Sequence, residues 1–107
     1  MVEIETLMDI IISKNKIPIR LTDERWAHIT DEHCELAGLR LEVLNTIEDP
    51  LKIFAGGLGE MIAVREIEEG KFLAVIYRES QKDGFIITAF LTRRMKSISR
   101  RKQIWPS

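Results

Sequence analysis

The sequence predicts an α+β domain in which N-terminal helices pack on a four-stranded (or larger) antiparallel β-meander. Two stretches carry that reading. Lys71 to Arg94, KFLAVIYRESQKDGFIITAFLTRR, contains two β-branched and aromatic runs, Phe72–Tyr77 and Phe85–Thr92, with Asp83-Gly84 between them. Asp-Gly between such runs is a strong hairpin signal, because the turn needs positive φ and Gly supplies it without steric cost. Upstream, Thr22 to Ile47 shows apolar residues at helical spacing, interrupted at Gly38 and ended before Pro50. Helices first, then consecutive strands with short turns, define the class.

Length and composition bound the rest. With 107 residues, 45% apolar and 31% charged, the chain reads as one folded domain, residues 1–107. A chain of this size buries roughly 60–70% of its unfolded surface, enough for a core without staples. No apolar run approaches the ~20 residues that span a bilayer. The start, MVEIETLMDIIISKNK, has acids where a signal peptide carries a basic region, so the cytoplasm is the expected compartment. Cys34 is the only cysteine, which excludes an internal disulfide and a multi-cysteine zinc site.

The net charge of −1 hides an asymmetry: residues 1–60 hold 12 acids and 6 bases, residues 61–107 hold 5 acids and 10 bases. From about residue 93 the chain is a basic tail, with Arg93, Arg94, Lys96, Arg100, Arg101 and Lys102 and no acid. Such a density of cations suits phosphate and sequence-independent contact with nucleic acid. A solvated terminal helix that aids solubility accounts for the charge equally well.

Taken in order, Ile10–Ile12 favour a strand around Met8–Ser13, although Val2, Ile4, Leu7, Met8 and Ile11 also fit a short amphipathic helix. Pro18 puts the run Ile17–Leu21 at an edge or in an irregular strand. Thr22 is an N-cap for a helix Asp23–His33, with Asp23 and Glu24 in its first turn. Trp26, Ile29 and His33 share one face of that helix, and His28 lies off it among acids. A second helix, Leu39–Ile47, turns Leu41, Leu44 and Ile47 inward and Arg40 and Glu42 outward. Leu51–Phe54 reads as a strand closed by Gly56-Gly57-Leu58-Gly59, a tight hairpin connection rather than a phosphate loop, since neither glycine fingerprint is present. Glu60–Ile67 is a strand with Met61, Ala63, Arg65 and Ile67 on one face. On the last strand strict alternation puts Phe85, Ile87, Ala89 and Leu91 on one face and Ile86, Thr88, Phe90 and Thr92 on the other.

The residues able to carry chemistry are few. Arg65 and Tyr77 interrupt apolar strands, and Thr88 and Thr92 alternate on the last one. A guanidinium binds phosphate bidentately and offsets charge on a phosphorane, while phenol and threonine hydroxyls hold phosphate oxygens. His28 or His33 supplies a group suited to general acid–base work. Together they suffice to cleave RNA through its ribose 2′-hydroxyl without metal or cofactor. Each also has a plainer role: Arg65 in an ion pair with Glu66 or Glu79, Tyr77 in the core edge, the threonines as β-formers, His33 as a core histidine, His28 on the surface. The histidines are five apart and HExxH is absent, so no metal site is expected. Trp105, after the basic run, stacks on a base in one reading and docks on the domain in the other.

The segments IRLTDERWAHITDEH, EVLNTIEDP, AVR, LAVIYRE and DGFIITAFLTRR, in this order and followed by a basic end, resemble the phage- and plasmid-associated nucleases of the barnase/EndoU/colicin/RelE-like (BECR) group. The likeness covers about Ile19 to Trp105. It rests on order and spacing rather than one diagnostic motif. It implies helices followed by a four-stranded antiparallel sheet, metal-independent ribonuclease activity of toxin type on an RNA substrate, and an antitoxin protein as a frequent partner. The helix pattern R-W-x-H-I-x-x-x-H matches Arg25, Trp26, His28, Ile29 and His33; the strand arginine matches Arg65, the VxY-type strand Tyr77, and the TAFxT strand Thr88 and Thr92. Cys34 stands where similar sequences often carry Pro, a change at the helix end. The group uses different catalytic residues in different branches, so the resemblance leaves open which of these act, with a non-catalytic nucleic-acid- or protein-binding module on the same fold as the alternative.

Overall fold

In a computed structural model, which describes residues 8–107, a seven-stranded, mostly antiparallel sheet carries three α-helices. Val2, Ile4 and Leu7, which the alternative N-terminal helix needs, lie outside the described residues; Met8–Ile12 forms strand β1. β1 pairs antiparallel with β2 (Pro18–Thr22), so β1 is the edge and β2 is interior. Pro18 is tolerated as the first residue of its strand, where it opposes Ile12.

Thr22 ends β2 and caps α1 (Asp23–Glu32): its hydroxyl accepts a hydrogen bond from the Arg25 N–H at 3.0 Å. A 3₁₀ turn at Cys34–Leu36 and Gly38, at φ +83°, redirect the chain into α2 (Arg40–Glu48). The meander follows as β3 (Lys52–Ala55), β4 (Met61–Glu68), β5 (Lys71–Glu79) and β6 (Gly84–Thr92). The basic tail is ordered. It forms α3 (Lys96–Ser99) and then β7 (Gln103–Trp105), which pairs with β3. The sheet order is therefore β1-β2-β6-β5-β4-β3-β7, with a short parallel junction at Ile19–Gly84 and Arg20–Phe85.

Two cores sit on the two faces. The inner one joins Ile29 of α1 and Val43, Leu44 and Ile47 of α2 to Ile19, Leu21, Ile53, Ala63, Leu73, Val75, Tyr77 and Ala89. The smaller outer one joins Phe54, Ile62, Val64 and Ala74 to Ile98 of α3, with Ile76, Phe90 and Met95 packed against it. Trp105 packs on the inner core, with the Lys14 ammonium 5.0 Å from its ring centre; of its two readings, docking on the domain is the one formed.

Four details depart from expectation. Leu41 is 64% exposed, and Val43 and Thr46 take the buried positions of α2 beside Leu44 and Ile47. Arg40 and Glu42 do not simply face solvent: Arg40 pairs with Asp9 at 2.8 Å and Asp23 at 2.7 Å, and Glu42 pairs with Arg65 at 3.2 Å. Gly84 is the first residue of β6 and has no positive φ; a Cβ there would lie 2.3 Å from the Arg78 carbonyl oxygen and 2.7 Å from Ile19 Cδ1. Its role is close approach of three strands, not a left-handed turn. Lastly, β6 carries a bulge between Ile86, opposite Tyr77, and Thr88, opposite Ile76. The extra residue, Ile87, breaks strict alternation, so Ile86, Ala89 and Leu91 all face the inner core.

Candidate nucleic-acid interface

Direct cross-strand partners share a face, so the register gives the outer surface row by row. One row runs Ile10, Arg20, Phe85, Arg78. The next runs Thr88, Ile76, Ile62, Phe54. A third runs Phe90, Ala74, Val64, Lys52, and a fourth Thr92, Phe72, Glu66. Ile98 and Met95 around α3 cover the Phe54–Ile62–Val64 corner. The remaining outer face carries Phe85, half-buried Phe90, Thr88 and Thr92, with cations at its margins.

The inner rows separate the other candidates from this surface. Arg65 opposes Leu73 of the inner core, and its guanidinium reaches Glu42 of α2 rather than Glu66 or Glu79. Tyr77 opposes Met61 further along β5, about 13 Å from Leu73 at the usual rise per residue. Its side chain is fully buried and its hydroxyl has no hydrogen-bond partner among the described residues. Burial, and to a smaller degree the charge of Glu79, drives the phenol far above its ordinary pKa. Arg65 and Tyr77 thus do not meet Thr88 and Thr92 in one cleft. The hydroxyl that could touch phosphate from Tyr77 is sealed under the helices.

The two histidines also part. His28 is exposed and its Nε2 lies 2.7 Å from Glu32 on the same helix. With Thr22, Glu24 and Arg25 it lines an open groove of about 480 Å³ along α1. His33, the C-cap of α1, lies at the sheet margin, where its ring centre is 6.4 Å from that of Phe90, tilted by 36°. Its Nδ1 is 3.5 Å from Glu35. Of the sequence candidates, His33 is the histidine near Phe90, and Thr88 and Thr92 stand on either side of Phe90 on the same face of β6.

The basic segment borders the same face. The Thr92 hydroxyl accepts from the Arg94 N–H at 2.9 Å and turns the chain into α3. Arg93 reaches the Glu69 carbonyl at 3.4 Å, while Arg94, Lys96, Arg100, Arg101 and Lys102 show solvent a cationic rim. At the β3–β4 turn, Gly59 takes φ +91° and the Glu60 carboxylate accepts the Leu58 N–H at 2.8 Å. That hydrogen bond first, and then the charges of Arg78 and Arg101, hold the Glu60 carboxyl below its ordinary range. Glu60 fills the concave side of the glycine turn, so the turn offers phosphate no cradle. Among the described residues no cluster of His, Cys, Asp and Glu is placed to hold a metal ion, and no helix is long and apolar enough to cross a membrane.

Sequence reasoning missed Phe85, Phe90, Arg20 and Arg78. Register was the missing quantity: Arg20 and Phe85 are 65 residues apart in number yet direct partners at the parallel junction. No family model matches the chain, and neither do curated proteins or solved structures.

Proposed function

We propose that the chain is a metal-independent ribonuclease of toxin type whose RNA lies across the outer sheet face, with His33 as the proton acceptor. The observation that carries this reading is the position of His33: a titratable ring, backed by Glu35, against Phe90 on a face that also bears Thr88, Thr92 and a cationic border. The resemblance in segment order supports the activity, and the toxin role and an antitoxin partner follow from it alone. In the reaction His33 Nε2 takes the proton of the ribose 2′-hydroxyl. The 2′-oxygen then attacks phosphorus, the bond to the 5′-oxygen breaks, and that oxygen takes a proton from water. The products are a 2′,3′-cyclic phosphate and a 5′-hydroxyl. The cationic border offsets charge on the phosphorane and gives sequence-independent affinity.

Arg65 on the inner face and the sealed Tyr77 hydroxyl have no part in this scheme. Their separation favours the second reading, a binding module on the same fold that holds RNA without cutting it. Incubating the protein with end-labelled RNA in excess EDTA decides between them. Cleavage is expected, with cyclic phosphate termini, and an all-2′-deoxy strand of the same sequence stays intact. RNA that is bound but uncut by folded protein would establish the second reading instead.

A further inference from the structure

Phe85 is the largest aromatic surface on the sheet that nothing in the fold uses. It is 41% exposed on an interior strand, and it is the one exposed aromatic among the large hydrophobic side chains of the described residues. Its two direct partners are both arginines: Arg20 on β2 and Arg78 on β5. Neither guanidinium is loose. Arg20 is bonded to Asp83, whose carboxyl that contact, and next the Ser80 hydroxyl, hold below its ordinary range. Arg78 donates to the Leu58 carbonyl at 3.0 Å and lies 3.8 Å from Glu60. Each arginine retains donors beyond these bonds. The register thus sets an exposed ring on a strand between two others, each of which carries an arginine whose guanidinium is held by a carboxylate, Asp83 on one side and Glu60 on the other.

We propose that Phe85 is a stacking platform for one nucleobase of single-stranded RNA, flanked by Arg20 and Arg78, and distinct from the cleavage position at His33. The chemistry fits that class of ligand. A base has an apolar π-face for the ring and polar edges for the two donors, and stacking of this kind is tolerant of sequence. A double helix offers no free base face. An acidic peptide would have to compete with Asp83 and Glu60, which already hold the guanidiniums. Phe85 and Phe90 lie on the same face of β6, about 15 Å apart at the usual rise, so the two rings meet different nucleotides of one strand. Arg101, beside Gly57 and near Glu60, continues the path towards the basic segment.

This inference rests on the RNA reading above, and its test separates the two. Affinity for a labelled single-stranded hexaribonucleotide is measured by anisotropy in EDTA, with all positions 2′-O-methylated so that it cannot be cut. The wild-type protein, Phe85→Ala and Phe85→Trp are compared, with far-ultraviolet circular dichroism as the check on folding. The platform predicts a roughly ten- to hundredfold loss of affinity for Phe85→Ala. Phe85→Trp keeps wild-type affinity, and its added indole fluorescence is quenched by the RNA. Wild-type affinity in Phe85→Ala, or no change in the added indole on saturation, overturns the platform and leaves the RNA reading standing. If the wild-type protein binds no RNA, the reading itself fails and the platform with it.

Discussion

Tyr77 is the clearest case of a residue whose place decides its role. It is the chain's only tyrosine, so its ionisation can be followed alone. Its pKa is raised by burial, so the neutral phenol contributes stability that is fully present below the ordinary value of 10.0 and is lost as pH rises through the raised one. Ultraviolet titration of the folded protein should show no tyrosinate near pH 10, and the signal should appear only with unfolding. A normal titration curve in folded protein would place the hydroxyl in solvent. Because the hydroxyl lacks a partner, Tyr77→Phe should leave stability unchanged or raise it by about 1 kcal/mol, read from chemical denaturation. Gly84→Ala should do the opposite. Its Cβ meets backbone, which cannot swing aside, and a loss of about 1–3 kcal/mol is expected.

At the level of elements, much of the fold was legible. Thr22 announced its helix, the glycines of residues 56–59 announced a hairpin, and the alternation in β4 gave both faces. What was not legible arose from contacts between distant segments. The bulge at Ile87 cannot be seen in FIITAFLT, because it depends on how β6 meets β5, and it inverts the faces on one side of the strand. The face of α2 was misjudged for a related reason. Leu41, Leu44 and Ile47 suit a helical stripe, but the sheet takes Val43 instead of Leu41. Leu41→Lys should therefore change stability by less than about 0.5 kcal/mol, whereas Val43→Ala should cost about 1–3 kcal/mol. Equal losses in thermal or denaturant unfolding would return Leu41 to the core.

Across the whole molecule, the site was half legible. Composition alone pointed to the cationic end, while helical spacing put His28 and His33 on different faces of α1 without choosing between them. The sheet order then sorted the candidates, with Arg65 and Tyr77 to the inner face and Thr88 and Thr92 to the outer one. The tail proved to be architecture as well as charge: Ile98 seals the outer core and Trp105 docks on the inner one. Neutralising Arg93, Arg94, Lys96, Arg100, Arg101 and Lys102 singly should weaken RNA binding evenly across sequences and flatten its salt dependence. Binding that changes with sequence but not with salt would assign these cations another role.

The most direct measurement is single-turnover cleavage of one RNA in excess EDTA by wild-type protein, His33→Ala and His28→Ala. The account predicts a loss of about 10²–10⁴-fold for His33→Ala and near-wild-type rates for His28→Ala, which faces away from the sheet and pairs with Glu32. Full activity in folded His33→Ala, or loss confined to His28→Ala, would contradict it and move the chemistry from the outer face to the groove along α1.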